Sequence, residues 1–522
     1  MFWFNFLICY STLVQSTPRF CAHDEWSQES PPQRILDTYR ETGWDSLRIK
    51  VDWSNMSKST KAKYSKYLES AVDFYANSLE VHRYKYPFEW SSDSKSLTCN
   101  LNAGDFYGKS ISADYFVIMT ETFDSSLNYV ASAKSCAIDS NHQPIVGVLK
   151  INTAYTDEYD SRLLIGVMTH ELTHALGFSL SSFVYYKNDY GEYYENLFKN
   201  VTLRDLSTIY LTTPNVKSRA QKLFGCNSLP GAELETQGDL GTAYSHWNSR
   251  IAFNDLMNPQ AVFTDFVYSE LTFAVLEDSG WYKPDYSYAQ QINFGYKEGC
   301  EFHDKKCLVN EKPISRMFCD DFKAESLCTH DYLSKGKCNL YQYSFDLPDY
   351  FKYFSDPTLG GDPYTDFCPV VSGNFNCRIP GCANADFMEE ICEDCRCVEG
   401  TYSLSKTYEE IHASCHRITC GVNFVIIHIG IHNITCTETG TMMNVPGFNG
   451  KLRCPDIEAI CRTSPCLNNC YGNECNDGVC DDDSLNRFDD CNTCNNIPND
   501  CGYTDFSNYF VIFSGSLLFS LV

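Results

Sequence analysis

A chain of 522 residues is too long for one ordinary domain, and at roughly 150 residues apiece about three are expected. Hydrophobic residues at 43 % and charged residues at 21 % exclude a disordered or fibrous protein. A formal net charge of -26, from 67 Asp and Glu against 41 Lys and Arg, repels a phosphate backbone and argues against nucleic acid as a partner, while 28 cysteines argue against a reducing cytosol.

The first element in chain order agrees with an oxidising compartment. Met1 to Val14 is apolar and aromatic, with small groups before Ser16, so residues 1–16 are expected to be a signal peptide. The sequons at Asn55, Asn200 and Asn433 fit the same secretory route as glycosylation sites. Leu47 to Trp53 alternates apolar and polar residues and predicts a strand, as do the apolar runs Tyr115 to Met119 and Ile145 to Ile151. Lys66 to His82 carries apolar residues at helical spacing. Ser161 to Leu176 predicts a strong helix, in which Leu164, Val167, Met168, Leu172 and Ala175 form one stripe. Strands and helices mix over residues 46–285, giving an α+β or α/β domain of the kind that carries catalytic sites.

Cysteine density then changes. Only Cys99, Cys136 and Cys226 lie between residues 46 and 285, whereas 23 cysteines lie from Cys300 to Cys501. The first region must be held by a hydrophobic core and the second by cross-links, which places a boundary near 285 and a cysteine-rich region over 286–453. His412 and His416 are four apart, but no Glu follows His412 and Cys415 and Cys420 crowd them, so they are expected to be structural. His428 and His432 alternate with isoleucine as a strand would. From Cys454 the spacing C-x6-C-x4-C-x3-C-x4-C-x4-C to Cys480 suggests an EGF-like module over 454–505. Asp481 to Asp483 lack EF-hand spacing and read as a solvated loop. The apolar tail within 506–522 is too short to span a membrane and reads as a GPI-attachment signal cut at or beyond Cys501, with a weak anchor or a plain secreted end as the alternatives.

Inside the predicted helix stands His170-Glu171-Leu172-Thr173-His174. Two imidazoles one turn apart face the same side and can bind one Zn²⁺, and Glu171, next to the first ligand, is placed to act as general base on a water attacking a peptide carbonyl. Gly177 lets the helix stop and the chain turn back toward the metal. A third ligand must come from elsewhere, and the candidate is His246 in Ser245-His246-Trp247, followed by Met257 in Leu256-Met257-Asn258-Pro259. A methionine turn beneath three imidazoles is the metzincin arrangement. Here the usual short gap before the third histidine is filled by Phe178 to Ser245.

On these residues the chain resembles the leishmanolysin family of surface metallopeptidases. The further segments that carry the likeness are Phe20 to Asp24, Cys136 to Asn152, His170 to Phe178 and Leu276 to Tyr282. The resemblance implies a metzincin-like zinc peptidase domain with a long insertion over 178–245, one zinc per chain, and endopeptidase activity toward protein or peptide substrates at a cell surface. It also implies a pro-segment over 17–45, in which Cys21 caps the zinc until removal; an ordinary disulfide is the alternative for Cys21. By the same likeness Ile145, Val146, Gly147 and Val148 belong to an edge strand along which substrate lies, although a plain core strand fits the residues equally well. The rival from another class is an inactive surface adhesion protein on the same fold.

Overall fold

The computed structural model describes residues 39–91, 97–127, 129–155, 161–237, 242–259, 266–320, 324, 326–379, 383–406 and 408–462, together with the backbone of 19–21 and 33–34. The fold mixes helix and strand with many disulfides. Its central sheet is built from β1 (Arg19–Cys21), β2 (Gln33–Arg34), β3 (Ile49–Asn55), β4 (Tyr115–Thr122), β5 (Tyr129–Ile138) and β6 (Pro144–Asn152). The order is β1-β5-β6-β4-β3, with β2 also on β5. β6 runs parallel to β4 and β4 parallel to β3, while β5 is antiparallel to β6.

That order corrects one expectation. Ile145, Val146, Gly147 and Val148 lie in β6, which is hydrogen-bonded to β4 on one side and to β5 on the other, so it has no free edge. The strand that covers it, β5, is rich in Ala and Ser (YVASAKSCAI), whose small side chains give little apolar signal in the sequence. Gly147 has a packing reason: a Cβ there would stand 1.9 Å from the Tyr115 hydroxyl, which reaches across the sheet to the carbonyl of Ala175 at 2.9 Å.

Two helices cover the sheet. α1 (Lys58–Ser78) begins where the Ser57 hydroxyl accepts from the Thr60 N–H, and buries Tyr64, Tyr67, Leu68, Ala71, Phe74 and Tyr75, one face at helical spacing. It begins eight residues before the predicted Lys66 to His82 because its first turns are polar and carry no stripe. It ends at Ser78 because Leu79–Tyr84 alternates and instead pairs with Arg40–Ser46 and Tyr282–Pro284. α2 (Ser161–Leu176) has the predicted bounds and is buried from Leu164 to Leu176, packed between α1 and strands β5 and β6. The Tyr75 hydroxyl pins the two helices together through the carbonyl of Thr169 at 3.1 Å and the hydroxyl of Thr173.

The main hydrophobic core does not stop at residue 285. It runs from Leu47 through Phe178 and Met257 to Phe302, Phe318, Phe351 and Val370. A second core of Val398, Val425, Ile427 and Leu452 lies in an antiparallel sheet of β7 (Cys395–Gly400), β8 (His412–Gly421), β9 (Phe424–Ile429), β10 (His432–Cys436), β11 (Met442–Asn444) and β12 (Lys451–Arg453). Nine disulfides join the described residues, seven of them within 307–461. Two of these correct the start of the expected EGF-like module: Cys454 pairs back to Cys436 and Cys461 to Cys420, because residues 451–461 belong to this sheet and its core. The rest of that module, the acidic run, the apolar tail and the signal peptide lie outside the described residues.

His412 is buried and stacks on Phe387 at 4.0 Å, and Nε2 of buried His416 lies 2.8 Å from the Tyr402 hydroxyl, so both serve packing. His428 and His432 stand on neighbouring strands. No helix among the described residues is long and apolar enough to cross a membrane.

Candidate metal centre

Because α2 is buried from Leu164 to Leu176, the two histidines it carries are held without freedom to swing. His170 and His174 lie one turn apart, with Nε2 atoms separated by 3.0 Å. His246 joins them, its Nε2 standing 3.1 Å from that of His174 and 3.3 Å from that of His170. All three rings are at most 1 % exposed. Each Nδ1 faces a backbone carbonyl: His170 that of Leu256 at 2.7 Å, His174 that of Phe178 at 2.7 Å, and His246 that of Thr242 at 2.9 Å. A carbonyl only accepts, so each Nδ1 carries the proton and each Nε2 presents a lone pair.

Three lone pairs converging at this distance repel one another unless a cation lies among them. Nitrogens bound at about 2.0–2.1 Å around a tetrahedral zinc lie about 3.3 Å apart, so the observed separations suit one such ion. The chemistry of the donor set therefore fits a metal.

The chain after α2 shapes the site. Gly177, at φ +129°, turns the backbone where a Cβ would sit 2.8 Å from Trp281. The Phe178 N–H then bonds the Thr173 carbonyl at 3.1 Å, and its own carbonyl meets His174. The Glu171 carboxylate lies in the same turn of helix, fully buried beside His170.

His246 arrives on a short ladder. The Glu235 N–H donates to the His246 carbonyl at 2.9 Å, the Tyr244 N–H to the Glu235 carbonyl at 2.8 Å, and the Asn248 N–H to the Glu233 carbonyl at 3.0 Å. On the other side the Trp247 N–H donates to the Met257 carbonyl at 3.0 Å, so the histidine and methionine segments are bonded together. Met257 is fully buried in the main core. Asp255 fixes its turn by accepting from the Met257 N–H at 2.7 Å and the Thr272 hydroxyl at 2.9 Å, while Thr272 accepts from the Trp247 indole at 3.0 Å. Burial pushes the Asp255 carboxyl up to about 6.

Behind the ladder sits a buried set of charges that spacing in the sequence did not reveal. Arg204 pairs with Glu233 at 2.7 Å and with Asp366 at 3.4 Å, and also donates to the His303 carbonyl. Burial opposes the Arg204 charge, but Glu233 and Asp366 outweigh it and hold the guanidinium above its ordinary value. Arg250 donates to the Lys305 carbonyl at 2.8 Å, and burial with Arg204 nearby pulls it down to about 10. Residues beyond 300 thus support the segment that delivers His246. These groups come from five separate segments, so no local pattern could announce them.

The remaining candidates are placed as follows. Cys21 lies on β1, whose backbone pairs with β5; its side chain is outside the described residues. Asn200 and Asn433 are exposed on strands of two hairpins. Asn55, half buried, uses its side chain to bond the backbone of Asn102 in both directions.

Comparison with known proteins adds an independent line. A family model described as leishmanolysin matches residues 64–468. Leishmanolysin of Leishmania donovani is 31 % identical over 369 residues, 66 % of this chain and 61 % of that protein. A leishmanolysin homolog of Crithidia fasciculata is 29 % identical over 369 residues, covering 67 % of this chain and 55 % of the relative. A leishmanolysin-like peptidase of Caenorhabditis elegans is 29 % identical over 327 residues, 51 % and 49 % of the two lengths. The chain therefore spans about half to three fifths of the length of the curated relatives it matches.

Proposed function

The chain belongs to the leishmanolysin family of metallopeptidases, and from that premise we propose that it is a zinc-dependent endopeptidase using His170, His174 and His246 as metal ligands and Glu171 as general base. The observation that carries the reading is the convergence of three Nε2 lone pairs, each fixed by a carbonyl on its Nδ1. A bound zinc supplies Lewis acidity, acidifying a water and polarising the scissile carbonyl. Glu171 takes the proton from that water as it attacks and delivers it to the leaving amine. The carbonyls of Leu256, Phe178 and Thr242 keep the imidazoles in the metal-binding tautomer. In this reading the domain is metzincin-like, residues 178–245 are its insertion, and Met257 packs beneath the three histidines.

The substrate is an extended segment of a secreted or surface protein. The strand suited to receive it by β-augmentation is β5, because β6 is paired on both sides. β1 and β2 lie along β5, Cys21 opposite Ala131 and Gln33 opposite Ala137, which supports a precursor whose N-terminal segment over 17–45 keeps substrate off this strand. Cys21 is the proposed zinc cap in that precursor. Exposed Asn200 and Asn433 are the glycosylation sites that suit a secretory route, and the apolar tail is a signal removed at or beyond Cys501 as the mature protein is joined to a GPI anchor.

Elemental analysis of processed protein, combined with casein cleavage before and after chelation, tests the reading. About one zinc per chain and activity lost to chelator and regained with zinc are expected. Metal-free protein, or cleavage that ignores the chelator, overturns it.

A further inference from the structure

Among the nine disulfides of the described residues, Cys392–Cys395 stands apart. It closes a separation of 3 residues, whereas the other eight close 18 to 74. Loop-closure entropy grows with loop length, so this bridge favours the folded chain about tenfold less than the next shortest. Its two ends are also held without it. The Cys392 N–H donates to the Cys377 carbonyl at 3.2 Å and the Cys395 N–H to the Cys392 carbonyl at 2.9 Å. Cys395 pairs with Arg417 in the ladder of β7 and β8, and Cys397 and Cys415 in that ladder are bridged to Cys328 and Cys377. A bridge so short, in a place so well held, adds little to the fold.

On one side the bridge packs in a small cluster with Cys377, Cys397 and Ala413, and on the other it meets charged groups. The Glu390 carboxylate and both sulfurs lie within 4.8 Å of one another. Glu390 and Cys392 are half buried, and Glu393 and Asp394 are exposed. Arg417 donates to Oε1 of Glu390 at 2.5 Å, and Arg396 donates to the carbonyls of Glu393 and Cys395.

We propose that Cys392–Cys395 is a thiol-exchange site, and that its reduced form, with Glu390, binds a soft divalent cation such as Zn²⁺ or Cd²⁺. The reductant is a small-molecule thiol. Its thiolate bonds to Sγ of Cys392 as the bond to Cys395 breaks, and Cys395 leaves as a thiolate. A second small thiolate then attacks the sulfur of the first, freeing Cys392 as a thiolate and leaving the small molecule as its own disulfide. Two electrons pass to the protein, and two thiolates now face a carboxylate, a donor set suited to soft metals. The exposed acids around the bridge repel an anionic thiol and favour a cationic one.

The test uses the intact full-length protein in native buffer. Cysteamine is raised stepwise, free thiols are alkylated, and peptides are mapped. Cys392 and Cys395 are expected to open first, at about threefold lower cysteamine than any other bridge at fixed cystamine, because two thiols are consumed per bridge, and faster with cysteamine than with glutathione at equal thiolate. Cadmium added to the reduced, thiol-free protein should give the ultraviolet band of sulfur-to-cadmium charge transfer. The three-histidine site cannot produce that band. Glu390→Gln should weaken cadmium binding about tenfold without changing the order of opening, and the folded double variant Cys392→Ser with Cys395→Ser should show no band. A different bridge opening first, a reduced pair without the band, or a band that persists in the double variant overturns the proposal.

Discussion

Residues 49–285 enclose a helix buried from Leu164 to Leu176 and hold one disulfide of their own among the described residues, Cys99–Cys136, whereas residues 307–461 hold seven and bury smaller clusters around Val398, Ile427 and Leu452. The first region orders its chain by packing, which holds side chains to a fraction of an ångström. The second is ordered by removing freedom from the unfolded chain. All three metal-facing histidines and Glu171 fall in the packed region. A site that needs three nitrogens within 3.3 Å of each other is better held by packing than by staples.

The sharpest way to test that contrast is chemical. Glu171→Ala should retain its zinc yet lose about 10²–10⁴-fold in peptide hydrolysis; near wild-type turnover in an active-site titrated sample would disprove the assigned base. His246→Ala should lose zinc on desalting while its circular dichroism stays native, and full zinc with full activity would place the third ligand elsewhere. In the packed region, Leu172→Ala leaves a cavity beneath the helix and should cost about 2–5 kcal/mol, read from the denaturant midpoint. In the cross-linked region, replacing Cys420 and Cys461 together by serine should cost a similar 2–5 kcal/mol, but with zinc affinity unchanged. A loss of zinc in that variant would erase the division of labour.

The gentlest probe is acid. Burial pulls His412, in the sheet of β7 to β12, down to about 4 and its neighbour His416 to about 3, from an ordinary 6.5. Their folded values are depressed, so the stability they contribute is complete above 6.5 and is lost as pH falls from there toward 4. Asp255 works in the opposite sense: its carboxyl is raised to about 6 from 3.8, so its contribution is complete below 3.8 and is lost as pH rises through 6. Thermal melts of metal-free protein between pH 7 and 4.5, followed by hydrogen exchange, should show the sheet of β7 to β12 loosening first. Simultaneous loosening of α2 would count against the assignment.

Local patterns reveal only part of this molecule. The helix Ser161–Leu176, its histidine pair and the stop at Gly177 were legible because one short segment contains the stripe, the ligands and the turn. His246 and Met257 were legible as a pair because they are eleven residues apart in chain and adjacent in space. The position of β5 was not, since alanine and serine give no periodic signal and strand order is set by long-range pairing. Helix α1 was read eight residues late because a serine cap and lysines mark its start rather than apolar residues. The Arg204, Glu233 and Asp366 cluster is invisible for a similar reason: its members meet only after the chain has folded.

The continuity of the main core past residue 285 bears on how the protein can be divided for laboratory use. A fragment ending there would leave Phe224 and Phe253 without the rings of Phe302 and Phe294, respectively, and Cys226 without Cys300. It would also strip Asp366 from Arg204 and the Lys305 carbonyl from Arg250, exposing two arginines that the whole chain keeps covered. Such a fragment would be prone to aggregate during expression even though every residue proposed to touch zinc is present. The shortest soluble fragment that carries the three histidines should therefore extend at least to Val370, and a library of C-terminal truncations should show a cliff in soluble yield there rather than at 285.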